Sequence, residues 1–160
     1  MSKIRNGTLK DLPFLEQMLF EAFFWNPNQA RPEFKAFFKQ PEIRKLLAEW
    51  GRPGDRAVIA EEGERPVGAA WYRFGTEEDH SWGYVDPETP ELGMGVCADF
   101  RSKGIGRALL GVIIETARNE GLRAISLSVD PANFARQLYE SKGFVKVGES
   151  GTSWTMIRYL

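Results

Sequence analysis

The chain reads as one α/β domain spanning residues 1–160. Three observations predict this class. Between Leu92 and Val129 a short β-like run, a glycine turn, an amphipathic helix and a second β-like run follow one another. Such a unit closes as a right-handed parallel crossover, with its ligand crevice beyond the carboxyl end of the first strand. Pairs of β-like segments hinged at tight turns flank that unit on both sides. A content of 42% hydrophobic and 12% aromatic residues over 160 positions suffices for one continuous core.

The elements follow in order. Ile4 sits in a short opening strand. Thr8 and Asp11 cap a helix whose apolar positions, Leu12, Leu15, Met18, Leu19, Ala22 and Phe23, keep i, i+3, i+4 spacing. Asn26 to Asn28 around Pro27 break it, and Pro32 opens a short helix with Phe34, Phe37 and Phe38 on one face. Pro41 ends that helix and restarts a helical stretch carrying Ile43, Leu46, Leu47 and Trp50, closed by Gly51 and Pro53. Arg56–Glu61 and Arg65–Phe74 form a hairpin about Glu62-Gly63-Glu64. Thr76 to Pro90 has no periodicity and reads as a loop of functional length. Leu92–Cys97 is a strand. Ile105–Glu120 is a helix with Ala108, Leu109, Val112, Ile113 and Ala117 facing inward and Gly121 as its C-terminal cap, and Ala124–Val129 is a strand. Ala132–Ser141 is a helix capped by Gly143, and Phe144–Val147 with Ser153–Tyr159 closes the chain as a hairpin.

Charge and composition exclude several classes. The net charge of −1 creates no field for nucleic acid or an anionic membrane. No apolar run approaches the roughly 18 residues of a membrane span, and the first residues lack a signal peptide's apolar centre, so a soluble cytoplasmic protein is expected. One cysteine and one histidine make a metal site unexpected.

The most informative stretch is Arg101-Ser-Lys-Gly-Ile-Gly-Arg-Ala-Leu-Leu, three cations and two glycines opening a helix. Cations there oppose the positive end of the helix dipole, at a cost of about 0.3–1 kcal/mol each, unless an anion offsets them. A phosphate-bearing ligand is therefore expected. The string lacks the Gly-x-x-x-x-Gly-Lys-Ser/Thr order of a triphosphate loop. It also lacks the third glycine of a dinucleotide fingerprint, where Leu109 stands, although a Rossmann-type nucleotide enzyme stays as a minor alternative.

Arg101-x-x-Gly104-x-Gly106-Arg107-Ala108, preceded by Glu91-Leu-Gly-Met-Gly-Val96, resembles the acetyl-coenzyme-A loop of the GNAT superfamily of N-acetyltransferases. Asn133-x-Ala135-x-x-Leu138-Tyr139-Glu140-x-x-Gly143-Phe144 is similar to the second signature of that family. The resemblance runs from about Glu91 to Phe144 and lapses over Asn26–Pro53 and Thr76–Pro90. It implies a GNAT-like mixed central sheet of about seven strands, splayed between strands four and five and flanked by four to five helices. It further implies acetyl-coenzyme A as co-substrate, no metal, and a primary amine acceptor, with homodimers common among such enzymes. The backbone of Val96, Cys97 and Ala98 would pair with the pantetheine arm. Arg101 and the amides of Ser102, Lys103, Gly104, Ile105, Gly106 and Arg107 would receive the pyrophosphate, Asn133 would contact the arm, and Tyr139 would be the general acid at sulfur. The alternative of a different class is a coenzyme-A-binding regulatory module without turnover.

Acyl transfer to an amine also needs a proton acceptor. An amine of pKa about 10.4 is neutral in about one part in 2,500 at pH 7, a cost of roughly 4.6 kcal/mol. Glu91 is the first candidate, since it begins the strand leading to the cofactor cleft; Glu88, Asp86 or water are alternatives. Seven acids and no Lys or Arg lie between Arg73 and Arg101. With Trp71, Tyr72, Trp82 and Tyr84 interleaved, they would favour a cationic acceptor. Plain readings stand beside these: a solvated acidic loop, Asn133 as a helix cap, Tyr139 as a packed ring, Cys97 as a buried filler and His80 as a solvated side chain.

Overall fold

The computed structural model describes residues 2–160. Seven strands form one sheet: β1 (Ser2–Asn6), β2 (Arg56–Glu62), β3 (Arg65–Arg73), β4 (Glu91–Val96), β5 (Ala124–Val129), β6 (Val145–Ser150) and β7 (Ser153–Tyr159). Their order is β1-β2-β3-β4-β5-β7-β6. Helices α1 (Leu12–Phe23), α2 (Phe34–Lys39), α3 (Pro41–Arg44), α4 (Ile105–Asn119) and α5 (Ala135–Ser141) flank it. All neighbours are antiparallel except β4 and β5, which are parallel and joined at one pair, Glu91 with Ser126. The Ser126 N–H donates to the Pro90 carbonyl at 3.0 Å, and beyond that point the two strands part. The mixed sheet splayed between its fourth and fifth strands is thus what the chain forms. Among the described residues no helix is long and apolar enough to cross a membrane.

Alternation on β2 and β3 divides the core in two. Val58, Ala60, Ala70 and Tyr72 meet α4, while Ile59, Ala69 and Trp71 meet α1. On α4 the buried stripe is Ile105, Leu109, Leu110, Ile113, Ile114 and Ala117, and the expected inward residues Ala108 and Val112 are exposed. Both stripes satisfy helical spacing. The observed one buries Leu110 and Ile114 in place of Ala108 and Val112, and more apolar area leaves water.

Three boundaries differ from expectation. After Pro41 only Pro41–Arg44 is helical, because Arg73 takes the carbonyls of Lys45 (3.3 Å) and Ala48 (2.7 Å), and Glu49 adopts a left-handed φ of 54°. Helix α5 starts at Ala135 rather than Ala132, since the Asp130 and Asn133 side chains accept the N–H groups of Ala132 (2.8 Å) and Ala135 (3.0 Å) and hold turns there. Phe144 is core beside Tyr139, with ring centroids 5.7 Å apart, and β6 begins after it.

The start of α1 is tied to β1. Asp11 accepts from the Thr8 N–H at 2.7 Å and from both Arg5 terminal nitrogens at 2.9 Å, which hold its carboxyl below the usual carboxylate range. Asp11→Ala is expected to cost about 1–3 kcal/mol, read from urea denaturation midpoints. A depressed pKa in the folded state means that this stabilisation is complete above the ordinary value of 3.8 and is lost as pH falls through the folded value.

Candidate active site

A cavity of about 1050 Å³ occupies the gap between β4 and β5. Which side chains reach it from each face follows from Gly95, where a Cβ would lie 2.4 Å from the Met18 carbonyl oxygen of α1. Gly95, Gly93 and Glu91 therefore face α1, and Leu92, Met94 and Val96 face α4. Backbone polarity alternates in the same way. The Cys97 N–H donates to the Val67 carbonyl at 2.8 Å, and Gly95 and Gly93 are paired with Ala69 and Trp71. The N–H groups of Met94 and Val96 consequently point away from β3, into the gap.

At the α4 end of the cavity the turn before the helix leaves its N–H groups open. Ser102 (φ 61°) and Gly104 (φ 83°) are both left-handed, and no side chain caps the helix. Among the described residues no backbone N–H from 102 to 107 donates to a protein acceptor, and the first such bond belongs to Ala108, to the Gly104 carbonyl at 3.1 Å. Gly106 lines the cavity, and a Cβ there would make only ordinary contacts, 3.4 Å to Leu138 and 3.5 Å to Met94. The chain's own packing therefore does not require glycine at 106.

Glu91, Val96, Arg101, Ser102, Gly104, Ile105, Gly106, Arg107, Asn133 and Tyr139 all line this cavity. Cys97, Ala98 and Lys103 do not. The Cys97 amide is spent on Val67, its side chain joins the α1 core, Ala98 turns away with it, and the Lys103 ammonium sits over the Phe100 ring at 5.2 Å. The Arg101 guanidinium is also committed, to the Val96 carbonyl (3.2 Å) and the Glu21 carboxylate (3.0 Å), so Arg107 is the cation of the turn left facing the cavity. Glu21, held by Arg31 as well at 2.8 Å, had no signal in the sequence.

Glu91 stands on the α1 face, where burial pushes its carboxyl up to about 6, against the stabilising Gly83 N–H at 3.0 Å, Ser81 and the nearby His80 and Lys45. The loop from 76 to 90 that supplies Gly83 is packed tightly. A Cβ at Gly83 would fall 2.6 Å from the Leu127 carbonyl carbon of β5 and 2.8 Å from Glu91 Oε2. The Thr155 hydroxyl of β7 fixes the same loop by donating to the Trp82 carbonyl at 3.3 Å.

Of the seven acids, Asp79 and Glu91 reach the cavity wall, and Asp79 is paired with Lys45 at 3.3 Å. Trp71, Trp82 and Tyr84 also line it. Tyr72, expected there, is 1% exposed in the α4 core, because its place on β3 gives it the opposite face from Trp71.

Tyr139 lies across the gap from Glu91, among the residues of the α4 core, and desolvation raises its hydroxyl so that it stays protonated at neutral pH. Asn133 caps the turn into α5 through Oδ1 while lining the cavity. The arrangement sets the Glu91 carboxyl on one face of the sheet, the Tyr139 hydroxyl on the other, strand N–H groups between them and N–H groups without protein acceptors at one end. Among the described residues no cluster of His, Cys, Asp or Glu could hold a metal ion.

Comparison with known proteins agrees with this geometry. Residues 15–144 match the model of the Acetyltransferase (GNAT) family. The chain is 31% identical over 135 residues to the mycothiol acetyltransferase of Propionibacterium freudenreichii, covering 84% of this chain and spanning 40% of that protein's length. Its fold is similar to that of the PaiA N-acetyltransferase from Thermoplasma acidophilum in complex with coenzyme A, with TM-score 0.75, 18% identity and coverage of 100% and 99% of the two chains. It is also similar to the ribosomal-protein-alanine N-acetyltransferase from Brucella melitensis, with TM-score 0.70, 24% identity and 99% coverage of both chains.

Proposed function

The chain belongs to the acetyltransferase (GNAT) family, and on that premise we propose that it moves the acetyl group of acetyl-coenzyme A to a primary amine by direct attack within a ternary complex. The observation that carries this reading is the run of N–H groups from 102 to 107 without a protein acceptor, set at a helix start that faces the gap. Such a run suits a diphosphate, and Gly106 leaves room for one.

Acetyl-coenzyme A supplies an acyl carbon and a leaving sulfur when bound. Glu91 takes the proton of the incoming ammonium from the α1 face. Raising its carboxyl from 4.5 to about 6 narrows the gap to the amine by about 2 kcal/mol while leaving it ionised at pH 7. The Val96 N–H, free of β3, donates to the carbonyl oxygen as charge gathers there. On the α4 face Tyr139 donates a hydrogen bond to the departing sulfur. Its raised pKa makes full proton transfer to a thiolate near 8.5 uphill by more than about 2 kcal/mol, so the thiolate leaves hydrogen-bonded and is protonated afterwards. The amine nitrogen adds to the acyl carbon, the C–S bond breaks as the tetrahedral adduct collapses, and the second proton leaving nitrogen goes to the thiolate, so that amide and free thiol are formed.

Amine-dependent release of free thiol from acetyl-coenzyme A by the purified chain tests the reading. Binding of the cofactor without thiol release from any amine would make the chain a binding module instead. In the same assay Tyr139→Phe is expected to lower kcat about 10- to 100-fold with little change in the KM for acetyl-coenzyme A. An unchanged kcat would remove Tyr139 from the chemistry.

A further inference from the structure

On the acceptor side of the gap the walls are rings, and the charges cancel. Trp71 lies against Gly93 so closely that a Cβ at 93 would fall 2.6 Å from its indole ring. Phe23 of α1 and Trp82 of the 76–90 loop meet edge to face at 5.8 Å, joining the two sides of the cavity mouth. Trp82 is still 39% exposed, a large apolar surface turned to the cavity and to water. The ionic groups beside them are neutralised in place. Asp79 is paired with Lys45, Arg73 is paired with Asp55 at 2.8 Å, and Arg52 adds another cation to the wall. A polycation would meet the Arg52 cation and acids that are already paired where it needs further free anions.

Resting on the acetyl-transfer reading of the same site, we propose that the acceptor is a monocationic amine carried on a short linker from a flat apolar ring, an arylalkylamine. Its nitrogen lies at Glu91, and its ring lies against the exposed face of Trp82 beside Phe23. The linker is short because Trp82 is the chain neighbour of Gly83, whose N–H donates to Glu91 Oε2 at 3.0 Å. Ring faces also stabilise an ammonium before it gives up its proton, so the walls serve both ends of such a molecule.

The test is a thiol-release assay on the full chain at saturating acetyl-coenzyme A with 2-phenylethylamine, n-butylamine and spermidine, with cofactor binding followed in parallel by calorimetry. The kcat/KM for 2-phenylethylamine is expected to exceed that of each of the other two at least tenfold. Trp82→Ala, at a half-exposed loop position, is expected to raise the KM for 2-phenylethylamine about tenfold. The same substitution should leave the KM for n-butylamine and the affinity for acetyl-coenzyme A within twofold. Preference for spermidine or n-butylamine, or indifference of 2-phenylethylamine to Trp82→Ala, would overturn the assignment. Absence of turnover with every amine while acetyl-coenzyme A still binds overturns the acceptor class and leaves the cofactor site standing. Loss of acetyl-coenzyme A binding by the unaltered chain overturns both.

Discussion

Glu91→Gln is expected to lower kcat by about 10²- to 10⁴-fold, the range over which a positioned base contributes, while leaving the protein at least as stable at pH 8 as the unaltered chain. The two effects share one cause. Burial of Glu91 lifts its carboxyl from 4.5 to about 6, so the folded state disfavours the ionised form by about 2 kcal/mol. A raised folded pKa means that the stability linked to this group is complete below about 4.5 and is lost as pH rises through about 6. Glutamine keeps an acceptor for the Gly83 N–H and removes the charge, so the penalty disappears together with the base. The pH profile follows from the same value. With Glu91 taking the proton of a bound ammonium, kcat/KM rises about tenfold per pH unit below about 6 and levels above it, and the glutamine variant lacks that step. Thiol-release rates from pH 5 to 9, with melting curves at pH 5 and 8, check both. A variant with full activity would move the base elsewhere, to Glu88, Asp86 or water.

Gly106→Glu is expected to weaken coenzyme A binding by more than 100-fold in calorimetry without unfolding the protein. The Cβ meets Leu138 and Met94 at ordinary distances. Replacing a helical glycine gains up to about 1 kcal/mol, and an acid in the first turn of a helix adds about 0.3–1 kcal/mol. What the carboxylate disturbs is the space before the amides of 102–107, which it fills with the charge those amides are set to receive. Gly111→Ala is the control. It lies in the same helix with open space about its Cβ, away from the cavity wall, and should leave affinity unaltered. Unchanged affinity in Gly106→Glu would show that the diphosphate lies elsewhere.

The glycine turn that opens α4 was legible because its signal is local: glycines and cations at fixed offsets before an apolar-periodic helix. The crossover between β4 and β5 was legible for the same reason. What stayed hidden depends on partners far away in the chain. Arg101 looks like a phosphate ligand until Glu21, 80 residues earlier, and the Val96 carbonyl take up its guanidinium. The helix after Pro41 looks longer than it is until Arg73 claims two of its carbonyls. Trp71 and Tyr72 are adjacent aromatics, so composition cannot say which faces the cavity; the strand's alternation, fixed by pairing with β4, selects Trp71. Cys97 and Ala98 were expected to continue the binding edge. The amide of Cys97 instead closes the ladder with β3, which leaves Val96 and Met94 as the open donors.

Everything in the mechanism depends on the diphosphate resting at the start of α4, and a crystal structure of the chain with coenzyme A measures this directly. The account predicts diphosphate oxygens within about 3 Å of at least three backbone nitrogens between Ser102 and Arg107, the ordinary length of a charge-assisted N–H to oxygen bond. A diphosphate bound elsewhere, with those nitrogens turned to protein acceptors, would contradict it.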